Sequence, residues 1–179
     1  TTNKFYIPIE KYTRKLLQSY NNNFSTLFHL DIFVNPSNPS DIIFCEIGSR
    51  LGGGRIHIIL KEQLGLWPLN ILFSEQINNF NMLSDSTRYL PPKETLMGFV
   101  LVIPFPGKIS KINKNIPFDF IVNVKWFANV GDSYGNSKSV SEAVCAIVVK
   151  GNSEQQVEQN ISIANDWVHK NITLTTIDD

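Results

Sequence analysis

The chain has 179 residues, with 16 Lys plus Arg against 16 Asp plus Glu, and 42% of its side chains are hydrophobic. That apolar content excludes an intrinsically disordered chain, and zero net charge excludes a binder that tracks nucleic-acid phosphates with a basic surface. What remains is a folded protein of one domain or two small ones.

Residues 8–21 are predicted to be helical. Pro8 suits a first turn, and Ile9, Tyr12, Leu16, Leu17 and Tyr20 recur at helical spacing until Asn21–Asn23 stops the run. Residues 26–34 read as a strand, with Phe28, Leu30, Ile32 and Val34 on one face and His29, Asp31 and Phe33 on the other. The turn formers of 35–41 lead into a second strand over 41–47, apolar on both faces, so the two strands form a hairpin. Gly52, Gly53 and Gly54 precede a helix expected from near Arg55 to Gln63, capped by Gly65, and Pro68 opens another helix to about Asn79. Residues 80–94 are polar and irregular.

The second half is rich in Val, Ile and Phe. Strands are expected in LMGFVLVIPF, KISKI, DFIVNVKWF and SVSEAVCAIVVKG, with Pro106–Gly107 turning between the first two and 131–138 forming a solvent loop. Ser153 and Gln156 compose a capping box for a last helix, whose apolar stripe is Val157, Ile161, Ala164 and Val168. The expected fold class is α+β: an antiparallel sheet with packed helices, continuing into a small β-rich C-terminal subdomain. The expected division is 1–79, a connecting segment 80–94, and 95–179.

Other signals bound the setting. No run reaches the roughly 20 apolar residues of a membrane span, and no basic-then-apolar leader opens the chain. Cys45 and Cys145 each lie in apolar runs and are expected as buried thiols, and no CxxC motif is present. A cytoplasmic location follows, with neither nucleic acid nor membrane as a partner. The Asn-x-Ser/Thr matches at Asn23, Asn160 and Asn171 are no more than chance supplies in so Asn-rich a chain. The first residue is Thr1 rather than Met, as expected of a chain processed or cut from something longer.

The chemistry concentrates in 28–56. Glu46 lies in a strand suited to burial, where an ionised carboxylate is costly unless paired or metal-bound. Asp31 lies on the neighbouring strand. If the hairpin brings both to one face, their mutual repulsion calls for a cation, and Mg²⁺ suits two carboxylates with room left for phosphate and water. Arg50, four residues beyond Glu46, can hold a phosphate or carboxylate oxygen. The glycines let backbone approach a ligand, and the helix after them presents an N-terminus to an anion. No Gly-Lys-Ser/Thr follows, so this is not a P-loop. Taken singly, His29 and His57 read as hydrogen-bonding residues rather than metal ligands.

The run HLDIFV…IIFCEIGSRLGGGRI resembles the metal-binding end of the ATP-grasp carboxylate–amine ligases, within them the L-amino-acid and dipeptide ligase subgroup. That family carries an acidic residue on one strand, then Glu-x-x-x-Arg and a Gly-rich turn. The resemblance implies Asp31 and Glu46 as metal ligands, Arg50 as the catalytic arginine on the transferred phosphate or the acyl-phosphate intermediate, and Gly52, Gly53 and Gly54 as the turn that positions the carboxylate. Gly48 stands where many members place a ligating Asn, though the L-amino-acid ligase subgroup also has a small residue there. Gly54 stands where some dipeptide ligases carry a bulky aromatic. The C-terminal Pro-Phe-Pro-Gly-Lys-Ile, Gly131–Asp132 and closing helix are similar to the family's small C-terminal region.

What the resemblance implies is ligation with ATP and Mg²⁺: a carboxylate is phosphorylated and an amine attacks the acyl phosphate. The family's N-terminal domain, its two ATP-contacting lysines and its glycine-rich phosphate loop would lie upstream of the matched region, so this chain is expected to be the C-terminal half, inactive alone. The expected partners are carboxylate and amine small molecules and the N-terminal half, and a homodimer is left open. The rival expectation is a non-catalytic ATP-grasp-like fragment that serves as a binding or interaction domain.

Overall fold

The computed structural model describes residues 3–20, 26–65, 67–70, 73, 95–136 and 139–176. The chain divides into two compact units, Thr1–Gly52 with Leu69–Ser84 and Gly53–Pro68 with Asp85–Asp179. Helices and antiparallel sheets alternate through both, the α+β class expected from the sequence.

The first unit holds helix α1 (Tyr6–Gln18) and the antiparallel hairpin of β1 (His29–Asn35) and β2 (Asn38–Gly48). Pro8 sits in the first turn of α1, where a missing N–H costs nothing. Asn35 shapes the hairpin turn, its Oδ1 accepting from Ser37 N at 2.9 Å. Lys4 Nζ donates to Pro36 O at 2.8 Å and ties the chain start to that turn. None of the described residues between 3 and 52 is buried. Phe33, Ile43 and Phe44 are exposed on the hairpin, as are Tyr6 and Ile7 on α1.

The pairing of β1 with β2 carries one extra residue on β2. Ile32 pairs with Phe44, but Asp31 pairs with Glu46, leaving Cys45 as a bulge. The expectation of two buried thiols is therefore corrected: Cys145 is buried, while Cys45 is exposed because the bulge lies in a hairpin that buries nothing.

The second unit holds α2 (Ile56–Leu64), which ends as expected at Gly65 in the left-handed conformation. Its first sheet has the order β3 (Leu96–Val102), β7 (Cys145–Gly151), β5 (Ile121–Trp126). A second sheet has the order β6 (Ser133–Tyr134), β4 (Gly107–Ile112), β8 (Ile172–Thr175). Helix α3 (Glu154–Lys170) opens at Ser153, whose Oγ accepts from Gln156 N at 3.1 Å. Gln156 Oε1 reaches one residue further back than a simple capping box, to Asn152 N at 2.8 Å.

Strand β7 is central and buried on both faces, which explains its unbroken apolar run. Cys145, Ile147 and Val149 face the core with Val157, Ala164 and Val168 of α3. The helix comes close because Gly98 has no side chain: a Cβ there would lie 2.7 Å from Val157 Cγ1. Asn160 is also buried, donating from Nδ2 to Lys150 O at 2.8 Å, so this sequon is occupied by the fold. Burial raises the Cys145 thiol to about 12, leaving it a core residue rather than a nucleophile.

Three sequence expectations are adjusted. Val140–Glu142 is a 3₁₀ turn rather than the start of β7, β6 forms inside the expected solvent loop, and β8 follows the last helix. Of the helix expected from Pro68, residues 68–70 and 73 are described and helical; the remainder, with the Asn21–Asn23 stop and the 80–94 segment, lies outside the described residues.

Candidate functional site

In the first unit the hairpin builds a carboxylate pair. Asp31 and Glu46 stand directly opposite one another across β1 and β2. Alternation along β2 from Phe44 would put Glu46 on the Leu30–Ile32 face, and the Cys45 bulge moves it to the face of Asp31. His29 shares that face by strand alternation, with Nε2 3.7 Å from Asp31 Oδ1. Arg50 turns back so that Nη2 lies 3.4 Å from Glu46 Oε1, while Nη1 donates to Leu51 O at 3.1 Å. The structure thus brings together Asp31, Glu46 and Arg50.

The side chains are half-exposed, Asp31 at 48%, Glu46 at 60% and Arg50 at 51%. The burial cost expected to demand a partner for Glu46 is therefore absent here, and what favours a cation is the facing of two carboxylates. Their oxygen donors fit Mg²⁺, which takes one or two protein carboxylates and completes its shell with phosphate and water. Among the described residues no group of three or more His, Cys, Asp or Glu assembles as a metal cage. Gly48 matters for Arg50: a Cβ at Gly48 would lie 3.3 Å from Arg50 Nε, so the arginine packs where a side chain at 48 would project.

The glycine run divides between the units: Gly52 belongs to the first, Gly53 and Gly54 to the second. In the second unit, space is open around Gly53, whereas Gly54 has φ +60 and a Cβ would meet Phe99 Cε2 at 2.3 Å. The aromatic ring beside position 54 is therefore supplied by β3. Gly54→Ala is expected to destabilise the chain by about 1–3 kcal/mol, from left-handed strain and the clash together. Adding Phe99→Ala should recover the clash but not the strain, which a double-mutant cycle in urea reads as coupling. Additive single effects would show that the ring does not press on Gly54.

Sequence reasoning passed over Arg55. It is 8% exposed, at the N-cap of α2, and its Nη2 donates to Asn123 Oδ1 on β5. A buried arginine has a weak sequence signal; the one available was its position directly after the glycines. Elsewhere in the second unit, a cleft of about 300 Å³ is lined by Ile103–Pro106, Gly135, Asn136 and His169, and no sequence-derived site residue lines it. Among the described residues no helix is long and apolar enough to cross a membrane.

No protein-family model and no curated protein matches this sequence. Solved structures do match its fold. The chain is similar to an L-amino acid ligase from Bacillus licheniformis, with TM-score 0.77 and 16% identity, over 99% of this chain and 44% of that one. It is also similar to a phosphoribosylglycinamide synthetase from Anaerococcus prevotii, with TM-score 0.70 and 15% identity, over 99% of this chain and 43% of that one. The fold is that of part of these ATP-grasp ligases, and the chain spans less than half the length of either.

Proposed function

We propose that this chain is the metal- and phosphate-binding part of an ATP-dependent carboxylate–amine ligase that works through an acyl phosphate. The observation that carries the reading is the direct opposition of Asp31 and Glu46 across the hairpin, with Arg50 on the same cluster. The fold likeness to an L-amino acid ligase supports it.

In this reading Asp31 and Glu46 hold Mg²⁺. The ion, when bound, neutralises charge on the phosphates of ATP. Arg50 leaves Glu46 for the transferring phosphoryl group, whose oxygens offer its guanidinium a better bidentate partner than one carboxylate oxygen at 3.4 Å. Backbone N–H groups of Gly52–Gly54 orient the carboxylate substrate. The amine then attacks the acyl phosphate, forming the C–N bond and releasing phosphate. The exposed apolar residues of the hairpin and of α1 fit elements that pack on further ligase structure, such as the N-terminal half with the adenine pocket, and a cytoplasmic location fits such a reaction.

The test is ADP formation by the chain assembled with that half. It should require a carboxylate and an amine together; ADP formation independent of both substrates would overturn the reading. A second reading, a non-catalytic binding or interaction fragment, is favoured by one observation: Gly48 offers no side chain ligand, and Arg50 lies over it. Assembly without any ADP formation would select that reading.

A further inference from the structure

Arg55 is the least exposed charged residue of the described chain, at 8%, and it lacks a counter-charge. Burying a guanidinium is unfavourable unless an anion or a full set of acceptors compensates. Its one side-chain partner is the neutral amide oxygen of Asn123, and its Nε is buried with no acceptor.

The surroundings add charge of the same sign. Strand β5 has a bulge at Val122, after which Asn123 and Lys125 fall on one face. By register, Phe99, Val148 and Asn123 form a row across the sheet, on the face opposite α3. Gly54 meets that row at Phe99 and Arg55 meets it at Asn123. His57 lies in the first turn of α2. Its proton affinity is lowered by burial first, and then by the charges of Arg55 and Lys125. Burial also lowers that of Arg55. The first turn of this nine-residue helix holds no acidic residue, and its N-terminus carries partial positive charge. Arg55 and Lys125 thus act together on His57, with no salt-bridged acid beside them among the described residues, and space is open around Gly53.

We infer that Arg55, with Asn123, His57 and Lys125, forms a binding site for a small oxyanion, a carboxylate or a phosphate, at the start of α2. The bound oxygen accepts from the Arg55 guanidinium, while Lys125 and the helix N-terminus supply longer-range attraction. None of its residues belongs to the Asp31–Glu46–Arg50 cluster, but it adjoins Gly53 and Gly54, which the proposed function sets against the carboxylate substrate; anion binding to the chain alone, read without ADP formation, tests it separately from that reading.

The test is titration of the 179-residue chain with acetate, glycine and inorganic phosphate at constant ionic strength. Binding is followed by the ¹H–¹⁵N signal of Arg55 Nε–H and by the melting temperature. At least one anion should shift that signal saturably and raise the melting temperature. Tighter acetate and glycine binding assigns the site to a carboxylate, and tighter phosphate binding assigns it to a phosphoryl group. Arg55→Gln should weaken binding roughly tenfold or more. Lys125→Ala, at an exposed residue whose loss leaves folding intact, should weaken it about two- to fivefold. No saturable binding by any of the three anions would overturn the proposal, as would unchanged affinity in the Lys125→Ala variant together with unchanged affinity in a folded Arg55→Gln variant. If Arg55→Gln does not fold, the Lys125→Ala result alone decides.

Discussion

Under the proposed function, Glu46→Gln is expected to lower ADP formation by the chain assembled with an N-terminal half roughly 10²–10³-fold, the usual cost of removing one group that stabilises transition-state charge. The substitution keeps size and hydrogen-bonding shape and removes one negative charge. In the proposed site that charge holds Mg²⁺ against the phosphates, which an amide oxygen does weakly. Stability should hardly move, within about 0.5 kcal/mol, because exposed substitutions away from packed features rarely do more. Glu46 is 60% exposed, and its ion pair with Arg50 at 3.4 Å is solvated. A circular-dichroism melt beside a coupled ADP assay separates the two effects. Full turnover by the Gln variant would remove Glu46 from the metal site. Loss of turnover together with a collapsed melt would mean that Glu46 serves the fold.

Ile147→Ala is expected to have the largest effect on stability, about 2–5 kcal/mol. That is a large share of the roughly 5–15 kcal/mol that holds a typical domain folded. Ile147 is 0% exposed at the centre of β7, paired with Val100 on one side and Val124 on the other. Its side chain belongs to the core shared with α3, so truncation leaves a cavity that three neighbouring elements must collapse to fill. Urea unfolding monitored by tryptophan fluorescence gives the value, with Trp126 and Trp167 packed against the same core. A loss below about 1 kcal/mol, the scale of a conservative core trim, would show that this core is loosely packed.

Particular residues show where sequence reasoning reached its limit. The closing helix was legible because its cap and stripe are local, and the structure places Ser153, Val157, Ala164 and Val168 in those roles, with Gln156 Oε1 accepting from Asn152 N in place of the N-cap N–H. The end of α2 at Gly65 was legible for the same reason. Strand β8 went unread because ITLT is short and gains its hydrogen bonds from β4, sixty residues away in the chain. Cys45 was misread as buried because its neighbours are apolar, and burial depends on what packs against a strand.

The sequence by itself determined the α+β class, the hairpin, and the residues of the carboxylate–arginine cluster, since these follow from periodicity, turn chemistry and one compact motif. Only the tertiary structure decided that Asp31 and Glu46 share a face. Counting along β2 places Glu46 on the other side, and one bulged residue reverses it. Only the tertiary structure, likewise, brought Arg55 to Asn123, which lies on a strand 68 positions away. Local rules fix what a segment can form; register shifts and long-range packing fix which side chains meet, because their free energy comes from groups distant in the chain.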